Sequence, residues 1–156
     1  ARYDVAHCFV STFKYIDTEA GAVSSLRRMA AALRPGGLLL LGLHLTDYQN
    51  SPPDHERWIG RKPGIRVVSD TWSAPADRKS RTEAMRTRMR ITEKGKTRIE
   101  ETLWDFRTYS PAELKALLAK VPSLRLVACH DFHYDLTSIR KIDMEYSDVL
   151  LVLRKA

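Results

Sequence analysis

The stretch from Tyr3 to Leu45 constrains the fold of this chain more than any other part of it. It runs as an apolar segment YDVAHCFV, a short loop STFKYI, an amphipathic stretch, the tripeptide Pro35-Gly36-Gly37 and an apolar run LLLLGLHL. Val5, Phe9 and Val10 mark a strand over Tyr3 to Val10, with little charge after Asp4. Asp17 or Thr18 supplies a helix N-cap, and Glu19 stands in the first turn, where the helix dipole favours an acid. Ala22, Val23, Leu26, Met29, Ala30 and Leu33 recur at helical spacing and form one apolar stripe. Pro35-Gly36-Gly37 stops the helix and turns the chain. Leu38 to Leu43 is continuous and apolar, the pattern of a strand covered on both faces. A strand, a crossover helix and a second strand form the building unit of a parallel sheet. In open parallel sheets, ligands bind beyond the carboxyl ends of the strands. Residues His7 to Phe13 and His44 to Tyr48 occupy those ends and are the first candidates for function.

The rest of the chain adds a sheet of a different kind. Tyr48 to Gly64 carries Pro52, Pro53, Gly60, Pro63 and Gly64 and is expected to be an irregular excursion, with a short helix near Asp54 to Ile59. Ile65 to Trp72 reads as a strand. Thr82 to Thr108 reads as a long hairpin turning at Lys94-Gly95, with Met85, Met89 and Ile91 alternating with Arg86, Arg88 and Arg90. These segments predict an antiparallel insertion of about three strands over residues 65–108. Ser110-Pro111-Ala112-Glu113 is a capping box that opens a helix with Leu114, Leu117 and Leu118 on its apolar face. Leu124 to Cys129 and Tyr146 to Leu153 read as two more strands. Their linker is too short for a crossover helix, so antiparallel pairing is expected.

The words of the first segment point to a family. Tyr3-Asp4-Val5, with Phe9, Ser11, Thr12 and Phe13 behind it, then Leu33-Arg34-Pro35-Gly36-Gly37 and an apolar strand, closely resembles the second half of class I S-adenosylmethionine-dependent methyltransferases. In that family a strand of the form FDxV leads to a helix ending LxPGG and then to the next strand. The resemblance implies an α/β fold: a partial doubly wound, Rossmann-like sheet, closed by an antiparallel final strand and interrupted by the antiparallel β insertion. Residues 1–156 then form one methyltransferase-like domain, its C-terminal portion.

The resemblance also implies a site. The loop after the first strand would lie against the adenine or methionine part of S-adenosylmethionine, which makes Cys8, Phe9, Val10 and Phe13 candidate cofactor-binding residues. The other reading of Phe9 and Phe13 is that they pack beneath the helix. The end of the next strand would face the methyl acceptor. Methyl transfer needs an acceptor lone pair in line with the sulfonium carbon, and much of the rate comes from holding that geometry. His44 is the candidate catalytic residue, as a substrate contact or a base, or else a structural histidine. Tyr48, Trp58 and Trp104 are candidate acceptor-site aromatics, suited to an apolar or cationic substrate. They could equally form the small core of the insertion. The acceptor is expected to be a small molecule or a protein.

Two family elements are missing from these residues: a glycine-rich GxGxG loop after an opening strand, and an acidic residue that grips the cofactor ribose. Gly21 lies within the helix, and Gly36 and Gly37 lie at its end. Without those elements the chain should hold S-adenosylmethionine poorly, and its first strand should present an open edge. A C-terminal fragment, inactive alone, is therefore expected. It could pair with a separate N-terminal half or form a homodimer through that edge.

Composition narrows the alternatives. The chain has 156 residues, 44% of them hydrophobic, which is enough for one compact core and argues against disorder throughout. No apolar run is long enough to cross a bilayer, and a cytoplasmic setting is expected. The two cysteines, Cys8 and Cys129, fall in apolar strand-like runs and read as free buried thiols. Net charge is +7, with much of the basic excess between Arg57 and Arg98. That cluster could attract phosphates, making the chain a non-catalytic interaction module that binds nucleic acid or a partner chain through the basic hairpin. Sparse aromatic interleaving and nearby acids such as Glu93, Glu100 and Glu101 favour a solvated face, with nucleic acid an unlikely partner. The run His130 to Asp135 has metal-capable side chains, but a metal site needs three or four converging ligands, so no metal is expected.

Overall fold

A computed structural model describes residues 2–133 and 135–156. Ala1 and Tyr134 lie outside the described residues, so the expectation for the His130–Asp135 run is tested without Tyr134. The elements in chain order are β1 (Tyr3–Cys8), a 3-10 turn (Thr12–Tyr15), α1 (Glu19–Ala32), β2 (Leu33–His44), β3 (Asp54–Lys62), β4 (Ile65–Ser73), β5 (Thr82–Glu93), β6 (Lys96–Arg107), α2 (Pro111–Ala119), β7 (Leu124–Asp131) and β8 (Asp148–Lys155). The fold is mixed α/β. The strands form two four-stranded sheets, ordered β1-β2-β8-β7 and β3-β4-β5-β6. The chain divides into two compact units, one of residues up to Asp47 with Arg107–Ala156, the other Tyr48–Phe106.

In the first unit β1 and β2 are parallel, with Val5 beside Leu38 and Cys8 beside Leu41. The crossover helix α1 joins them, as the apolar stripe predicts. Thr18 is its N-cap, and its hydroxyl accepts the Gly21 N–H at 3.1 Å. The helix ends at Ala32, and Leu33 is already extended. The Pro-Gly-Gly element therefore sits inside β2 rather than before it, which corrects the expected turn between helix and strand. Pairing jumps from Tyr3–Leu33 to Val5–Leu38, so residues 34–37 are a bulge in the longer strand. Gly36 takes a left-handed φ of 76° there. A Cβ on Gly37 would stand 2.9 Å from the Arg34 carbonyl and 3.1–3.2 Å from those of Asp4 and Tyr3, so only glycine fits this close approach.

β8 inserts between β2 and β7 and is antiparallel to both, with Leu41 opposite Leu151 and Cys129 opposite Leu151 on the other side. The expected antiparallel pairing of the last two strands is present. Leu39, Leu41 and Leu43 share one face and are fully buried with Ala22, Leu26 and Ala30 of α1, Leu114 and Leu117 of α2, and Leu151 and Leu153 of β8. Each such leucine contributes on the order of 2 kcal/mol of transfer free energy. Leu38 and Leu40 on the opposite face are only half-buried. The expectation of a strand covered on both faces is thus met on one face among the described residues. The helix α2 starts in the predicted capping box, with Ser110 accepting from the Glu113 N–H and Glu113 from the Ser110 N–H. Among the described residues no helix is long and apolar enough to cross a membrane.

The second unit holds one more strand than the sequence implies. Where an irregular excursion with a short helix was expected, β3 pairs with β4 over its whole length, from Asp54–Ser73 to Lys62–Ile65. Cross-strand contacts replace an apolar pattern: His55 stacks on Trp72 at 4.9 Å, and Arg57 donates to Asp70 at 2.6 Å. Gly64, with φ 78°, turns the chain into β4. The turn between β5 and β6, at Lys94-Gly95, is where the sequence places it, and both residues have positive φ, as a two-residue hairpin turn requires.

Candidate functional site

The carboxyl ends of β1 and β2 lie side by side, so the parallel unit brings two of the predicted segments together. After Cys8 the backbone turns sharply. Val10 has φ 51° and Ser11 φ 60°, both left-handed, and Val10 is 78% exposed. A β-branched residue in this region is strained and persists only where its surroundings hold it. The holding contacts come from β2. The Ser11 N–H donates to the Gly42 carbonyl at 3.1 Å. Ser11 Oγ lies 2.8 Å from His44 Nδ1 and accepts the His44 backbone N–H at 3.2 Å. Lys14, on the 3-10 turn, is fully buried and its Nζ hydrogen-bonds His44 Nε2.

Each predicted cofactor residue has a distinct place. Cys8 is half-buried on β1, and burial pushes its thiol pKa up, partly offset by a hydrogen bond with the backbone of Phe13. Phe9 is partly exposed and stacks on His7 at 4.7 Å. Val10 stands in the open. Phe13 is fully buried in the core with its ring 6.0 Å from that of Tyr109. Phe13 therefore supports the loop from beneath, while Phe9 and Val10 offer accessible apolar surface. Gly42 keeps the strand clear: a Cβ there would stand 3.3 Å from the Phe132 ring and 3.5 Å from Phe9.

His44 is half-buried between Ser11 and Lys14. Beyond it Thr46 is buried, its N–H donates to the Tyr109 carbonyl at 2.9 Å, and its hydroxyl has no partner among the described residues. A buried hydroxyl of this kind is a natural contact for a bound polar group. Ser11 and Thr46 fall within the two strand-end segments that the sequence marks out, without a role of their own there, whereas Lys14 and Phe132 are not singled out by the sequence as site residues. A lysine in a loop reads as solvated, and its contact with His44, on another strand, is not visible in the local sequence.

The three predicted acceptor-site aromatics belong to the second unit. Tyr48 lies under Arg78, at 6.0 Å. Trp58 is 68% exposed on β3, with its Nε1–H directed to Glu56 at 3.3 Å. Trp104 meets Phe106 edge-on at 6.0 Å. In the basic hairpin, Arg86 is ion-paired with Glu101 at 2.7 Å and lies 5.3 Å from Trp72, and Arg98 pairs with Glu100 at 2.9 Å.

At the same end of the first sheet, beyond β8, Asp131 anchors the connection from β7 to β8. It accepts two hydrogen bonds from Arg140 at 3.0 Å and the His133 N–H at 3.0 Å, while Arg140 lies 3.7 Å over Tyr146. The His133 N–H, then the Arg140 guanidinium, hold the Asp131 carboxyl below the usual carboxylate range. A depressed native pKa contributes stability that is present above the unfolded value of about 4 and is lost as pH falls through the native one. Asp131→Asn should therefore narrow the stability gap between about pH 7 and about pH 3, read from urea midpoints; an unchanged gap would show that this carboxylate is not part of the acid transition. Cys129 is free and buried, with its thiol pKa raised to about 11 by burial and by the charges of Asp143 and Asp131. Among the described residues no three His, Cys, Asp or Glu side chains converge as a metal site.

Comparison with known proteins bears on this geometry. No protein-family model matches the chain, and no curated protein sequence does. Solved structures do. The amino pentose methyltransferase CalS10 from Micromonospora echinaspora, solved with SAM bound, superposes with a TM-score of 0.74 over 99% of this chain and 59% of that one, at 17% identity. This chain has a methyltransferase fold. A S-adenosylmethionine-dependent methyltransferase from Clostridium acetobutylicum matches at TM-score 0.73 and 10% identity, over 99% of this chain and 59% of that one. The sugar N-methyltransferase KedS8 from Streptoalloteichus matches at TM-score 0.72 and 15% identity, over 97% and 56%. The methyltransferase fold thus extends across nearly all of this chain, which spans about three fifths of the length of each of these structures.

Proposed function

We propose that this chain is the C-terminal part of a S-adenosylmethionine-dependent methyltransferase whose acceptor is an amine of a small molecule, an amino sugar being the first class to test. The observation that carries the reading is the parallel β1–α1–β2 unit, with its two strand ends adjacent, inside a fold that matches methyltransferases over nearly the whole chain. The acceptor class is drawn from CalS10 and KedS8, which act on an amino pentose and a sugar nitrogen.

The residues present suit part of a cofactor cradle. Phe9 and Val10 offer apolar surface beside strained, exposed backbone, as the flat adenine or the methionine chain would need. Cys8 borders the same strand end, and Phe13 sets its floor. When bound, S-adenosylmethionine supplies an electrophilic methyl on a sulfonium. The protein's task is to hold an acceptor lone pair in line with that carbon and keep water away. His44 and Thr46 stand where the acceptor should approach. Tyr48, Trp58 and Trp104, all of the second unit, are kept as candidate acceptor contacts.

A glycine-rich loop and a ribose-binding acid are absent from these residues, and the proposal places them on a preceding segment that continues the sheet past β1. In support, β1 is an edge strand with a single neighbour among the described residues, and Tyr3 and Val5 on it are more than half exposed. Calorimetry and radiolabelled methyl transfer to a panel of amino sugars test the reading. Binding and transfer are expected from the full-length protein and not from residues 1–156 alone. A folded full-length protein that neither binds the methyl donor nor transfers its methyl group would end the proposal.

A further inference from the structure

We propose that Lys14 is a positioning residue: its buried amine fixes one tautomer of His44 and, through Ser11, clamps the left-handed turn at the end of β1. A lysine ammonium has donors only. The imidazole nitrogen facing it, Nε2, must then present its lone pair, which leaves the proton on Nδ1. Nδ1 faces Ser11 Oγ at 2.8 Å and donates to it. The same oxygen accepts the His44 backbone N–H at 3.2 Å. Ser11 is thereby held at two points by one residue, and Ser11 and Val10 are the two residues of this turn whose backbone is left-handed. Lys14 is fully buried, so its side chain is ordered by this arrangement rather than by solvent.

The consequence for the reaction rests on the methyltransferase reading; the tautomer does not. With Nε2 engaged by Lys14 and Nδ1–H engaged by Ser11, His44 carries no free lone pair toward an acceptor. Its part is then to hold the strand end rigid, and the acceptor brings its own lone pair.

The test is nitrogen NMR of the full-length protein labelled at histidine with 15N, with His44→Gln to assign the signal. The wild-type protein should show His44 with its proton on Nδ1, and Lys14→Met should shift it toward the Nε2–H form. In the same samples, Lys14→Met and Ser11→Ala should each weaken S-adenosylmethionine binding by on the order of tenfold, through loss of the ordered turn. A wild-type His44 protonated on Nε2 overturns the proposal without any variant having to fold. So does a tautomer that Lys14→Met leaves unchanged, or wild-type donor affinity in both Lys14→Met and Ser11→Ala. If the tautomer is as assigned and the full-length protein binds no S-adenosylmethionine, the methyltransferase reading fails while the Lys14 assignment stands.

Discussion

Phe13→Ala should cost about 4 kcal/mol of folding stability, the largest effect expected of a single substitution in this chain. Phe13 is fully buried, and its ring lies beside that of Tyr109, which is also fully buried. Truncation removes the transfer free energy of a ring and leaves a void beside Tyr109 in the buried core. Phe13 also sits between Ser11 and Lys14 in the chain, so its loss should loosen the contacts of both with His44. Phe13→Leu separates the two effects. It keeps most of the volume, should cost about 1 kcal/mol, and should leave the turn in place. Urea unfolding of the three proteins gives the stabilities. A loss below about 1 kcal/mol for Phe13→Ala would mean that the ring is not the floor of this loop.

Leu41→Ala comes next, at about 3 kcal/mol. Leu41 lies at the centre of the first sheet, beside Cys8 on β1 and opposite Leu151 on β8, and is fully buried. Leu40 is its control. It points to the other face and is half-buried, so Leu40→Ala should cost markedly less. Equal losses at the two positions would show that both faces of β2 are covered in solution. That result would follow if the full-length protein supplies elements that lie over the Leu38–Leu40 face.

The contrast between these neighbours shows what the sequence made legible. An unbroken run from Leu38 to Leu43 announces a central strand, and the apolar stripe of α1 announces its crossover helix. Together they imply the parallel pairing that is observed. The run could not say which face lies open, because six adjacent apolar residues carry no alternation. The strand β3 was hidden for the opposite reason. Its residues DHERWIGRK are all exposed, and two prolines precede it. It exists because its backbone pairs with β4 from end to end and because His55 and Arg57 meet Trp72 and Asp70 across the ladder. Those partners are distant in sequence, so no local pattern records them.

The candidate site was legible to the same degree. The strand ends follow from topology, which is why Cys8, Phe9 and His44 could be named. The network that joins the two ends could not, since Lys14 and Ser11 are ordinary loop residues until His44 meets them. The left-handed backbone at Val10 is also invisible to a reading by residue type, as valine is among the residues least suited to it.

The central claim is that the ends of β1 and β2 border a methyl-donor site. It is tested most directly by calorimetric titration of the full-length protein with S-adenosylmethionine, beside a Val10→Asp variant. Val10 is exposed, so the variant should fold as the parent does. The account predicts saturable one-to-one binding by the parent and a loss of about tenfold or more in the variant, whose carboxylate must be desolvated against the ligand. Binding that is equally tight in both proteins would place the donor elsewhere and contradict the account.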